Sequence, residues 1–205
     1  MWANNPSRGM HLRLRSSEAG TTAVEFALLV GLFFTLVFGI IEIARLMYVY
    51  NTLQEVTRRA AAAAVDVYPR DATAIDKVKQ NAVFRNSPGE LVLASPVSDE
   101  NIRIEYLALT RATPTGPTTL TKIPPDELPA CAAQNRQICM QNPNAANCIR
   151  FVQVSVCDSA DSSDCQPVKS KMLLSLIDMG VYYPKATTIQ TAESLGYIPG
   201  MAPCP

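Results

Sequence analysis

Residues 20–50 read GTTAVEFALLVGLFFTLVFGIIEIARLMYVY. No side chain from Phe26 to Ile41 is charged, and these 16 residues make about 24 Å of α-helix at the usual rise. The hydrocarbon core of a bilayer is about 30 Å thick. A transmembrane helix here therefore extends over about residues 24–48 and takes in a carboxylate at either edge, Glu25 in front and Glu42 behind. Glu42 and Arg45 stand three apart on one helix face and can partly neutralise each other near the interface. Glu25 has no basic residue at helical spacing on its C-terminal side. An unpaired carboxylate in hydrocarbon costs about 2.5–3.5 kcal/mol on insertion scales, which marks Glu25 as a functional candidate.

A conventional cleaved signal peptide fits poorly. Signal peptidase needs small residues soon after the apolar region, and here Glu42-Ile43-Ala44-Arg45 follows instead. Arginines are nearly balanced about the span, with Arg8, Arg13 and Arg15 before it and Arg45, Arg58 and Arg59 after it. The cysteines break that tie. Cys131, Cys139, Cys148, Cys157, Cys165 and Cys204 all lie in the last 75 residues and none forms a C-x-x-C pair. An even number of loop cysteines beyond an anchor suits an oxidising compartment, with 15 pairings open. The N-terminus is thus expected in the cytoplasm and the C-terminal part outside.

Small residues recur every four positions along the helix, at Ala23, Ala27, Gly31, Thr35 and Gly39. That spacing lets helices approach closely where no hydrophobic gradient drives them together. Beyond the span, Val49, Leu53, Val56, Ala60, Ala63 and Val67 keep a helical period, with no Gly or Pro before Pro69. One helix is expected from about Thr22 to about Val67, near 70 Å long, its outer half presenting a narrow apolar seam.

Pro69 ends that helix, and Asp71 caps a shorter one through about Phe84 with an apolar face of Ile75, Val78 and Ala82. Alternation predicts strands at residues 101–110 and 149–157, and a weaker one at 90–94. Residues 111–147 read as a long loop stapled through Cys131 and Cys139, with Cys148 immediately after it. Residues 169–179 are apolar enough for a helix or a buried strand, and the tail from Gly180 reads as irregular. Asp158, Asp161 and Asp164 lack the D-x-D-x-D-G spacing of a calcium loop, so an acidic turn closed by a Cys157–Cys165 bridge is expected and no metal site. The formal charge is zero, which gives no footing for nucleic acid. The only histidine, His11, precedes the span, no nucleophile has an evident base and no phosphate loop is present. An enzyme is not expected, nor is a cofactor.

Residues 18–64, EAGTTAVEFALLVGLFFTLVFGIIEIARLMYVYNTLQEVTRRAAAAA, resemble the TadE-like family, minor pseudopilins of the tight-adherence (Flp-type) pilus. A Gly followed after four residues by Glu-Phe, an apolar run ending Gly-Ile-Ile-Glu, and an alanine-rich extension carry the likeness. Gly31 stands where the family commonly has proline. The resemblance implies cleavage by prepilin peptidase between Gly20 and Thr21, and pairing of the new Thr21 amine with Glu25, beside Phe26. It also implies other pilin or pseudopilin subunits and the inner-membrane assembly platform as partners, besides membrane lipid.

The expected fold is α+β. Residues 1–20 form a cytoplasmic leader, residues 21–67 a pilin-like helix with transmembrane and periplasmic halves, and residues 68–205 a small disulfide-stapled periplasmic domain. The expected role is a minor pilin acting in assembly, initiation or tip formation for adherence. A permanently anchored periplasmic binding module is the alternative, and an envelope enzyme the remote one.

Overall fold

A computed structural model describes residues 19–111, 113, 115–158, 164–172, 180–202 and 204. The fold is mixed α+β, a long N-terminal apolar helix followed by a small strand-rich domain. Helix α1 spans Ala19–Ala64, α2 Ala72–Ala82, β1 Ile102–Arg111, β2 Thr118–Lys122, α3 Ala132–Gln141, β3 Phe151–Val156 and β4 Thr187–Thr191. The chain separates into two compact units, Met1–Ile41 and Glu42–Pro205.

Within the second unit, α1 contributes the central apolar surface. Val49, Leu53, Val56, Ala60, Ala61 and Ala64 are wholly buried and cluster with residues of α2, β1 and β3. The seam differs from expectation at its end, where Ala64 is buried and Ala63 exposed. The buried face follows 3.6 residues per turn and drifts off the three-four alternation read from sequence. Past Ala64 the chain tightens into i→i+3 bonds, Asp66 N donating to Ala63 O (3.4 Å) and Val67 N to Ala64 O (3.3 Å). Val65 O accepts from Leu195 N at 3.0 Å, which ties the C-terminal tail to the helix end.

Asp71 caps α2 by accepting from Ala74 N at 3.0 Å, and Val78 and Ala82 are buried beneath it. Residues 90–94 form no strand. They coil into a tight loop joined by the isolated bridge Glu90–Ser98, with Leu91, Ala94 and Val97 all turned into the core. A step of three serves that loop, where a strand would need two.

The sheet runs β2-β1-β3-β4 and is antiparallel throughout. Ile102 faces Val156, Ile104 faces Val154 and Tyr106 faces Val152, so one face joins the core. The other carries Glu105, held by Lys122 Nζ at 2.6 Å and by Gln153 Nε2 at 3.4 Å. An antiparallel sheet with one covered and one wet face needs this alternation. Thr57 of α1 meets Thr188 of β4 hydroxyl to hydroxyl at 2.9 Å. Tyr106 is buried with no hydrogen-bond partner for its hydroxyl among the described residues, and burial raises its phenol well above the usual range.

Two segments differ from the sequence reading. Residues 111–147 are no loop, since they contain β2 and α3. TTLTK has a single large apolar residue and is exposed throughout, and AAQNRQICMQ lacks a clear apolar face, so neither carries a periodic signal. The tail from Gly180 is likewise not wholly irregular, because Thr187–Thr191 is the sheet's fourth strand. Residues 173–179, most of the segment read as helix or buried strand, lie outside the described residues.

All six cysteines are paired, as Cys131–Cys204, Cys139–Cys148 and Cys157–Cys165, at sequence separations of 73, 9 and 8. The first fastens the tail to the start of α3, the second links α3 to the residues before β3, and the third is the bridge expected from the acidic loop. Loop-closure entropy grows with the logarithm of loop length. Replacing Cys131 and Cys204 by Ser is therefore expected to destabilise the protein by about 2 kcal/mol more than replacing Cys139 and Cys148, measured by denaturant unfolding.

Candidate functional site

Gly20 and Thr21 lie in the first turn of α1, with Glu25 and Phe26 one turn on. Along this half the large side chains face outward. Phe26, Leu28, Leu29, Leu32 and Leu36 are each 60% or more exposed. Burying such side chains is worth about 1.5–3 kcal/mol each, so their exposure to water is untenable as a resting state. The segment's mean hydropathy reaches 2.5 over 18 residues, none of them buried within the chain. It fits a single-pass membrane anchor.

The small-residue positions Ala27, Gly31, Thr35 and Gly39 are also exposed. A Cβ placed at Gly31 or Gly39 would meet nothing within 4 Å. Thr35 Oγ1 donates back to Gly31 O at 2.8 Å, which satisfies the hydroxyl inside the helix and leaves this face without a polar demand. Glu25 has no hydrogen bond or ion pair with another described residue.

Glu42 and Arg45 are joined, as their spacing allows, by Arg45 Nη2 to Glu42 Oε1 at 2.6 Å and Nε to the same oxygen at 3.1 Å. Their surroundings are not those of a surface pair, since the Arg45 side chain is 5% exposed and that of Glu42 13%. Arg45 Nη1 donates to Leu93 O (2.9 Å) and to Tyr183 Oη (3.2 Å). Its Nη2 donates to Lys171 O (2.7 Å) and Ser170 Oγ (3.3 Å). Tyr183 in turn donates from Oη to Ser95 O at 3.3 Å. One guanidinium thus clamps α1 to two loops 48 and about 126 residues away in the chain. Its planar fork of five N–H groups can meet so many acceptors at once, which an ammonium cannot.

Sequence spacing finds the Glu42–Arg45 pair and misses the loops, because backbone carbonyls and a lone Tyr183 leave no local signature. Leu93 does carry a conformational mark, since its φ of 60° lies in the left-handed region where a leucine is strained by about 1–2 kcal/mol. The Arg45 bond to its carbonyl helps hold it there.

Of the acidic loop, Asp158 and Asp164 are described and Asp161 is not. Among the described residues no group of three or more His, Cys, Asp or Glu could hold a metal ion.

Removing one partner of a buried, multiply bonded charge leaves the others unsatisfied. Arg45→Ala is expected to lower the stability of the Glu42–Pro205 unit by about 3–5 kcal/mol, and Arg45→Lys to recover only part of it. Denaturant unfolding of the full chain in detergent, followed by near-ultraviolet circular dichroism, checks both.

A family model described as TadE-like protein matches residues 20–62, which is 43 of the 205 residues. No curated protein and no solved structure matches the chain. The match takes in Gly20, Glu25, the apolar run, the Glu42–Arg45 pair and the first part of the buried seam. Residues 20–62 are thus TadE-like, and this supports a protein associated with the tight-adherence pilus and anchored by a single apolar helix.

Proposed function

We propose that this protein is a minor pilin, or pseudopilin, of a tight-adherence (Flp-type) pilus, processed by prepilin peptidase between Gly20 and Thr21. The observation that carries the reading is Glu25, a carboxylate with no described partner at the edge of an exposed apolar helix, five residues after Gly20 in a TadE-like segment. A lone carboxylate there is costly in lipid. Cleavage would create an α-amine at Thr21, four residues from Glu25 and thus on the same helix face. Amine and carboxylate could then pair within one chain or between adjacent subunits as they leave the bilayer.

Residues 20–41 are the surface such neighbours would use. From Arg45 on, the buried side of α1 is already occupied by its own unit. Within the span of about residues 24–48, contact with the hydrocarbon core therefore centres on about residues 24–41, near 27 Å of helix and close to the thickness of that core. The open small-residue face at Ala27, Gly31, Thr35 and Gly39 suits close helix packing in a filament or its precursor. Three disulfides favour an oxidising compartment for the second unit, with the leader and its arginines on the cytoplasmic side. Pilin subunits, the peptidase and the inner-membrane assembly platform are the partners this reading requires, in pilus assembly, initiation or tip formation.

Intact mass of the protein from cells with and without a prepilin peptidase tests the first step. A chain beginning at Thr21 only when the peptidase is present is expected; a start at Met1 in both would contradict the proposal. Glu25→Ala is expected to be cleaved normally yet to leave pilus assembly impaired, and normal piliation would remove the role given to the carboxylate.

A further inference from the structure

Six large apolar or aromatic side chains stand uncovered at one end of the Glu42–Pro205 unit. Met47, Tyr48 and Tyr50 project from α1, Val92 and Leu93 from one loop, and Tyr182 from another, with exposures between 45% and 66%. They are near one another because Arg45 ties both loops to the helix, through Leu93 O on one side and through Lys171 O and Tyr183 Oη on the other. An apolar groove lies along each flank of α1. Tyr48 and Val92 line one, Met47, Tyr50 and Tyr182 the other.

Exposed apolar surface concentrated in this way marks a contact. Leu93 sharpens the point, because it holds a left-handed conformation that leucine disfavours and yet points its side chain outward. The Arg45 bond to its carbonyl helps hold the backbone, but burial in the chain does not account for the placing of the side chain. Position indicates what the contact is. Met47, Tyr48 and Tyr50 follow the last residue of the uncharged run by six to nine positions, within about two and a half helical turns. Tyrosines, with an apolar ring and a polar tip, favour the boundary between acyl chains and headgroups. The patch also wraps both flanks of the helix. A docked protein would cover one side, whereas a lipid surface pierced by the helix meets every side together.

We infer that Met47, Tyr48, Tyr50, Val92, Leu93 and Tyr182 form a collar that rests on the outer boundary of the bilayer, so that the second unit sits on lipid and does not hang free of it. The exposed Lys171, whose backbone oxygen Arg45 holds, supplies a cation at the same level for headgroup phosphate. This inference rests on the reading of α1 as a membrane anchor, and the test separates the two.

The only tryptophan is Trp2, so a Trp2→Phe background permits single reporters in the full chain. Val92→Trp and Tyr182→Trp probe the collar, Leu36→Trp the anchor, and Leu120→Trp the exposed strand β2. The proteins are reconstituted in phosphatidylcholine vesicles with bromine either near the glycerol or near the acyl-chain end, and emission is read. Both collar reporters are expected to lose most of their emission to shallow bromine and little to deep bromine. Leu36→Trp is expected to show the reverse, and Leu120→Trp to respond to neither. Quenching at Leu36→Trp with none at the collar overturns the collar and leaves the anchor standing. No quenching at Leu36→Trp overturns the anchor itself and the collar with it. Collar emission that is blue-shifted only as protein density rises, without bromine quenching, would show a second copy in place of lipid and also overturn the inference.

Discussion

One apolar face of α1 is the constraint to which the second unit is built. Val49, Leu53, Val56, Ala60 and Ala64 are wholly buried, and much of the core they join comes from distant parts of the chain. Strands β1 and β3 bring Ile102, Ile104, Val152, Val154 and Val156, α2 brings Val78 and Ala82, and the tail brings Leu195. The alanines at 60, 61 and 64 allow close approach near the helix end, where Val65 O also accepts from the tail. Taken away from α1, the sheet would keep its ladder but lose the cover of its apolar face.

Arg45 does for orientation what this stripe does for stability. Apolar packing is nondirectional, whereas a guanidinium bonded to Glu42, Leu93, Ser170, Lys171 and Tyr183 admits one arrangement of α1 and its loops. The same charge closes off the apolar run. Before it the helix offers uncovered leucines and phenylalanines, and after it the helix offers a face already filled by its own unit. A single helix can thus serve two surroundings, with the change made over about one turn.

Much of this was legible in the sequence, and for identifiable reasons. The continuous helix shows because an unbroken apolar run leads directly into a seam of helical period, with no Gly or Pro in that seam before Pro69. The helix capped by Asp71 and the strands β1 and β3 show because capping and alternation are local. Strands β2 and β4 do not show, since TTLTK and TTIQT are edge strands with little to bury. Helix α3 is hidden for a similar reason, its place being fixed by Cys131 and Cys139 more than by an apolar face. At the candidate site the Glu42–Arg45 spacing was readable, but its depth was not, because four of the five residues that bond Arg45 come from distant loops.

If the stripe governs the second unit as described, residues 53–64 of α1 and the strands β1 and β3 unfold together. Native-state hydrogen exchange of the full chain in detergent micelles, across a denaturant series, measures this directly. Amides of residues 53–64 should exchange with the same free energy and the same denaturant dependence as those of β1 and β3. Protection of residues 53–64 that outlasts the exchange of β1 and β3 would show an autonomous helix with the sheet merely attached, and would contradict the account.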